Sequence, residues 1–150
     1  MAGKIELRDA TTADAPLLRA WRNDPETRRA SHNPAAVGEA EHTAWLAASL
    51  ASPDRLLLVA QSGDEPVGVV RADRDPGTDT WELSWTVAPP ARGRGVAKAM
   101  VRLLADRLPG PLRAEVRAGN TASIRVAEHA GLTLDREHDG VLHFRRPARA

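Results

Sequence analysis

A chain of 150 residues with a 42% apolar and 27% charged composition suits one soluble globular domain, spanning residues 1–150, that buries roughly two-thirds of its unfolded surface. Cysteine is absent, which excludes disulfides, thiolate metal sites and a cysteine nucleophile. A formal net charge of only +1 argues against a general nucleic-acid binder, although all but two of the 21 basic residues, Lys4 and Lys98, are arginines.

Lys4-Ile5-Glu6-Leu7-Arg8 alternates polar and apolar residues and reads as a first strand. Thr11 or Thr12 then caps a helix with Leu17, Leu18 and Trp21 on one stripe, which Asn23-Asp24-Pro25 ends or kinks. Ala30 to Val37 reads as loop, and Gly38 to Ala51 as a second helix with Trp45, Leu46 and Leu50 inward. Arg55 to Ala60 and Val67 to Ala72 form a hairpin around Ser62-Gly63-Asp64-Glu65-Pro66. Thr80 to Val87 alternates strictly, with Trp81, Leu83, Trp85 and Val87 on one face and Glu82, Ser84 and Thr86 on the other. After Pro89 and Pro90, helical spacing runs from Gly95 to Leu108. Leu112 to Arg117 is one more strand, Asn120 or Thr121 caps a helix through Ala130, and strands near Leu132-Thr133-Leu134 and Val141 to Phe144 close a mixed α/β order. The residues from Met1 to Glu6 lack the apolar core of a secretory signal, and no run reaches the length of a membrane span. A cytoplasmic protein without membrane or nucleic-acid partners is therefore expected.

The chemistry concentrates between Val87 and Met100, where a strand enters a glycine-bearing turn and then a helix. Gly93 and Gly95 let backbone approach an anion, and the first helical turn aims unpaired N–H groups and the positive dipole end at it. No Ser, Thr, Asp or Asn lies between Val87 and Lys98 to cap those amides. Glycines there also permit a tight turn without any ligand; Arg92 and Arg94 tilt the reading toward phosphate. The P-loop pattern is absent, and the dinucleotide fingerprint fails because Lys98 stands in place of its third glycine.

Arg92-Gly93-Arg94-Gly95-Val96-Ala97 resembles the acetyl-CoA-binding motif of the GNAT superfamily, Arg/Gln-x-x-Gly-x-Gly/Ala. Val87-Ala88-Pro89 matches the family's preceding strand end, and Asn120, Ser123, Gly131 and Leu132 match its later Asn…Ser helix ending in Gly-Phe. The element order agrees over nearly the whole chain. The resemblance implies a mixed sheet, mostly antiparallel with a central splayed parallel pair, flanked by about four helices. It implies acetyl-CoA as co-substrate, transfer of its acetyl group to a primary amine, and a strand whose backbone at Trp85, Thr86 and Val87 meets the pantetheine and the acetyl carbonyl. Arg92, Gly93, Arg94, Gly95, Val96, Ala97, Lys98, Asn120 and Ser123 are the expected cofactor contacts. Trp21 to Pro25 and His42 to Leu46 also resemble branches that acetylate nucleotide-linked amino sugars or ribosomal-protein N-termini.

Transfer needs an unprotonated amine, a donor for the oxyanion and a route for the thiolate's proton. Glu82 is the candidate base, since it lies upstream on the strand before the motif; its bland alternative is a solvated strand residue. His32 and His42 are the alternative bases, each near the expected substrate side, and with Trp81 they are candidates for acceptor binding; lone histidines and tryptophans also commonly serve packing. Many relatives protonate the thiolate with a tyrosine where this chain has Ala127, and the chain contains no tyrosine; Ser123 or water stands in. A non-catalytic acyl-CoA sensor is the competing reading. The acceptor is a small amine or a peptide N-terminus, no metal is expected, and a homodimer is among the expected states because relatives are often dimers.

Overall fold

The structure is a computed structural model describing residues 4–31 and 33–149. Among the described residues, seven strands form one sheet: β1 (Ile5–Asp9), β2 (Arg55–Ser62), β3 (Glu65–Asp75), β4 (Thr80–Val87), β5 (Leu112–Arg117), β6 (Thr133–His138) and β7 (Val141–Arg146). Their order is β1-β2-β3-β4-β5-β7-β6, and every neighbouring pair is antiparallel except β4 with β5. The β4 and β5 bounds agree with those read from alternation, because period-two patterning with a turn at each end leaves little freedom in register. The hairpin strands extend past their apolar cores, where polar edge residues continue the ladder to Asp75 and Ser62.

Five α helices flank the sheet: α1 (Ala15–Asn23), α2 (Pro25–Ala30), α3 (Glu39–Ala51), α4 (Val96–Arg107) and α5 (Thr121–His129). The helix expected to end near Pro25 instead restarts there. Asp24 caps the new turn by accepting from the Thr27 N–H at 3.1 Å, and proline suits the first helical position because its missing N–H would be unpaired anyway. The loop therefore begins at Ser31 rather than Ala30. In α3 the inward stripe is His42, Leu46 and Ser49, all buried, while Leu50 faces solvent at 39% exposure. The 42/46/49 spacing fits one helical face, which Leu50 leaves by one residue.

The core lies mainly between the sheet and α4, where Met100, Val101, Leu104 and Ala105 are almost fully buried. Gly68 on β3 permits that approach: a Cβ there would stand 2.7 Å from Met100 Sδ and 3.0 Å from the Thr86 carbonyl. Gly68 pairs with Val87 at the end of β4, so the same close contact fixes the helix beside the strand that feeds it.

Candidate functional site

The parallel ladder between β4 and β5 holds only Trp81↔Leu112 and Glu82↔Arg113. Beyond it, β4 stays with β3 as far as Val87↔Gly68 and β5 stays with β7 as far as Arg117↔Val141, so the two halves of the sheet diverge. The divergence opens a cleft of about 1070 Å³. Ser84, Trp85, Thr86 and Val87 form one wall and Glu115, Val116 and Arg117 the other, and the first turn of α4 stands at one end. Helices α1 and α3 supply Trp21, Arg22, His42 and Trp45.

The turn into α4 is built as an anion seat. Gly93 and Gly95 have φ of +78° and +75°, and nothing lies within 4 Å of where a Cβ would be added at either, so the surface above them is open. Gly95 is the N-cap, with no side-chain cap on the helix. The amides of Val96, Ala97 and Lys98 thus present the positive helix end to the cleft that these residues line. Arg92 lines the cleft too, but its guanidinium is held at 2.5 Å by Asp24 and at 2.7 Å by Glu26, which ties the turn to α2. That hydrogen bond, with the Thr27 amide, holds the Asp24 carboxyl below the ordinary carboxylate range. Arg94 points elsewhere, 3.4 Å from Glu65 at the start of β3, and is not part of the cleft wall.

Asn120 and Ser123 both face the cleft, and the Asn120 side chain caps α5 by accepting from the Ser123 N–H at 3.2 Å. Ala127 is buried behind them. Glu82 lies on the same sheet face as Ser84 and Thr86, as alternation predicts. It sits, however, where the strands still pair, 3.5 Å from Arg113 and outside the cleft lining. Trp81 is similarly set back, half-buried against the core, its backbone N–H donating to the Pro111 carbonyl. His32 lies outside the described residues. Arg22 and Trp45, from the two segments that carry the branch resemblance, line the cleft, and so do Arg71, Glu115 and Arg117, which no motif marks out. Alternation along Arg113-Ala114-Glu115-Val116-Arg117 was the available signal, because in a parallel pair the residues beside Glu82 share its face.

His42 is 4% exposed, with its ring 5.4 Å from that of Trp45. Burial, then the nearby charges of Arg19 and Arg22, push its pKa below the usual histidine value. The ring is neutral at pH 7. The unfolded chain binds this proton more readily than the folded one. Stability is therefore expected to fall as pH drops below about 6.5, toward the depressed folded value. Urea unfolding of wild type and His42→Gln at pH 7.5 and 5.5 checks this: the wild type should lose more stability over that interval than the variant.

Two strands parted over an uncapped helix start define a protein built to bind an extended, phosphate-bearing ligand between them. The model of the acetyltransferase (GNAT) domain matches residues 4–133, and the chain belongs to that family of acetyl-CoA-dependent N-acetyltransferases. Among solved structures it is similar to RimL, a ribosomal-protein alpha-N-acetyltransferase in complex with coenzyme A, at 17% identity over 97% of this chain and 94% of that one, TM-score 0.84. Spermidine N-acetyltransferase from Vibrio cholerae, in complex with CoA and spermine, matches at 13% identity over 95% and 93%, TM-score 0.82. A ribosomal-protein-alanine N-acetyltransferase from Brucella melitensis matches at 26% identity over 95% and 99%, TM-score 0.77. No curated protein matches the chain in sequence. Among the described residues, no helix is long and apolar enough to cross a membrane.

Proposed function

We propose that this protein transfers the acetyl group of acetyl-CoA to the primary amine of a small molecule or a peptide N-terminus, in the cytoplasm. The observation that carries the reading is the cleft between β4 and β5, which ends on the open, uncapped start of α4. A pyrophosphate fits the amides of Gly93 to Lys98, and Lys98 and Arg125 on the cleft wall suit a further phosphate. The splayed edge of β4 from Trp85 to Val87 suits a pantetheine chain, and a backbone amide near Val87 suits the acetyl oxygen.

The bound thioester supplies an activated acyl group. The amine nitrogen forms the new N–C bond as the C–S bond breaks, one ammonium-side proton goes to a base, and the thiolate leaves and takes up a proton. Glu115 is the base best placed for this, because it lines the cleft, one carboxylate oxygen 3.7 Å from His143 Nδ1, whereas Glu82 lies outside the lining. Ser123, which lines the cleft at the start of α5, or a water, returns the proton to sulfur. Departure of an unprotonated thiolate at neutral pH would cost only about 2 kcal/mol, so burying Ala127 where many relatives carry a tyrosine does not block the step.

Calorimetry with acetyl-CoA followed by a thiol-release screen across amines tests the reading. Binding and turnover are expected; binding with no turnover on any amine class would overturn the transfer. Glu115→Gln is expected to lower kcat about a hundredfold with little change in the acetyl-CoA KM. Loss in Glu82→Gln with retention in Glu115→Gln would return the role to Glu82.

A further inference from the structure

Arg22, Arg71, Arg92 and Arg117 line the cleft together with Glu26, Glu41 and Glu115, and these arginines differ in their partners. Arg71, whose guanidinium lies over Trp45, is ion-paired to Asp73 at 2.9 Å, and Arg92 is paired to Asp24 and Glu26. Arg22 on α1 and Arg117 at the end of β5 differ: among the described residues, neither has a carboxylate within ion-pairing distance. Each instead donates one Nη2 to the same short segment, Arg22 to the Asn33 carbonyl at 2.7 Å and Arg117 to the Ser31 carbonyl at 2.9 Å. The two cations therefore converge, one from α1 and one from β5, on backbone carbonyls two residues apart. Arg22 Nη1 is buried and has no hydrogen-bond partner among the described residues. A charged donor left without a partner beside a cleft is stabilised by any anion that reaches it, and the planar guanidinium fork fits a carboxylate or phosphate edge.

We propose that the acceptor is an amine that also carries an anionic group, a carboxylate or a phosphate, and that Arg22 with Arg117 binds that group. The inference rests on the acetyltransferase reading and narrows its substrate class. Glu41 and Glu115 also line the cleft, so the preference rests on Arg22 and Arg117, the two guanidiniums there that no carboxylate pairs among the described residues, and a polycationic acceptor offers them no counter-charge. Holding the anion fixes where the amine sits relative to Glu115 on the same wall, so Arg22 is a specificity residue rather than a catalytic one.

The test compares matched amines with acetyl-CoA: glucosamine 6-phosphate against glucosamine, and methionine against its methyl ester. The charged member should be preferred by about tenfold or more in kcat/KM in at least one pair, and the pair that responds distinguishes phosphate from carboxylate. Arg22→Gln should raise KM for that charged amine about tenfold, leave kcat within about twofold, and leave the KM for acetyl-CoA unchanged; Arg22→Lys should recover part of the loss. Arg117→Gln gives the same reading from β5 should Arg22→Gln fail to fold. Faster turnover of the neutral members in both pairs, or of spermidine over all of them, overturns the proposal while leaving acetyl transfer intact. If no amine is acetylated, the transfer reading fails alone. Calorimetry of glucosamine 6-phosphate and methionine with the CoA-loaded protein then decides the anion site, heat lost in Arg22→Gln supporting it and no heat from either overturning it.

Discussion

Gly95→Trp is expected to weaken acetyl-CoA binding by about a hundredfold or more, roughly 2.7 kcal/mol, in calorimetry at fixed ionic strength. Two effects combine. At a φ of +75° any L side chain is strained, by about 1–2 kcal/mol, and the indole would project into the open space above the first amides of α4, where nothing else stands within 4 Å. Gly95→Ala separates them. Alanine carries the backbone strain without the bulk, so it should lower unfolding stability by about 1–2 kcal/mol yet reduce affinity much less than tryptophan does. Tight binding retained by a folded Gly95→Trp protein would place the phosphates elsewhere and remove the basis for reading this turn as the anion seat. Equal loss in both variants would mean that loop conformation, not access, controls binding.

The parts of this site that local pattern dictates were legible in the chain. A strand of strict alternation, two prolines, two glycines and a helical stripe specify a strand–turn–helix whatever surrounds it, and β4, the Gly93–Gly95 turn and α4 stand where those residues put them. Side-chain direction was less legible. Arg92 and Arg94 look equivalent in sequence, yet one is drawn to Asp24 across 68 residues and the other to Glu65 across 29. Such long-range charge pairing leaves no periodic trace. Glu82 shows the same limit: its face was readable, but its distance along the strand from the point where β4 and β5 part depends on how far the parallel ladder persists. That length is set by the antiparallel partners β3 and β7, not by β4 itself. The acceptor-side residues Arg22, His42, Trp45 and Arg117 come from three distant segments of chain and meet only because α1 packs against both α3 and β4.

Arg146→Ala is expected to lower the unfolding free energy by about 3–4 kcal/mol, measured by urea denaturation at pH 7. Arg146 on β7 is 7% exposed, and its guanidinium donates to the carbonyls of Ala105 at 3.0 Å, Gly110 at 2.8 Å and Leu108. These carbonyls cluster where α4 ends and the helix pole is negative, and of the three the Ala105 carbonyl also accepts from the Leu108 N–H at 3.2 Å. Burial, reinforced by Arg149, pushes the Arg146 pKa down, but a guanidinium stays charged, so it remains a buried cation compensated by backbone dipoles. Alanine would take the guanidinium donor from the Leu108 and Gly110 carbonyls and one of two donors from that of Ala105, in a buried site. Lysine should recover only part of the loss, because one ammonium cannot span acceptors that the planar fork reaches together. Arg149→Ala, at a half-exposed partner of Asp106, should cost under about 1 kcal/mol. Since a charge at one helix end is felt within the last turn, Arg146→Ala protein kept below its unfolding transition should bind acetyl-CoA within about threefold of wild type. A larger loss of affinity would mean that β7 positions the phosphate turn through the body of α4, making the far end of the helix part of the binding apparatus.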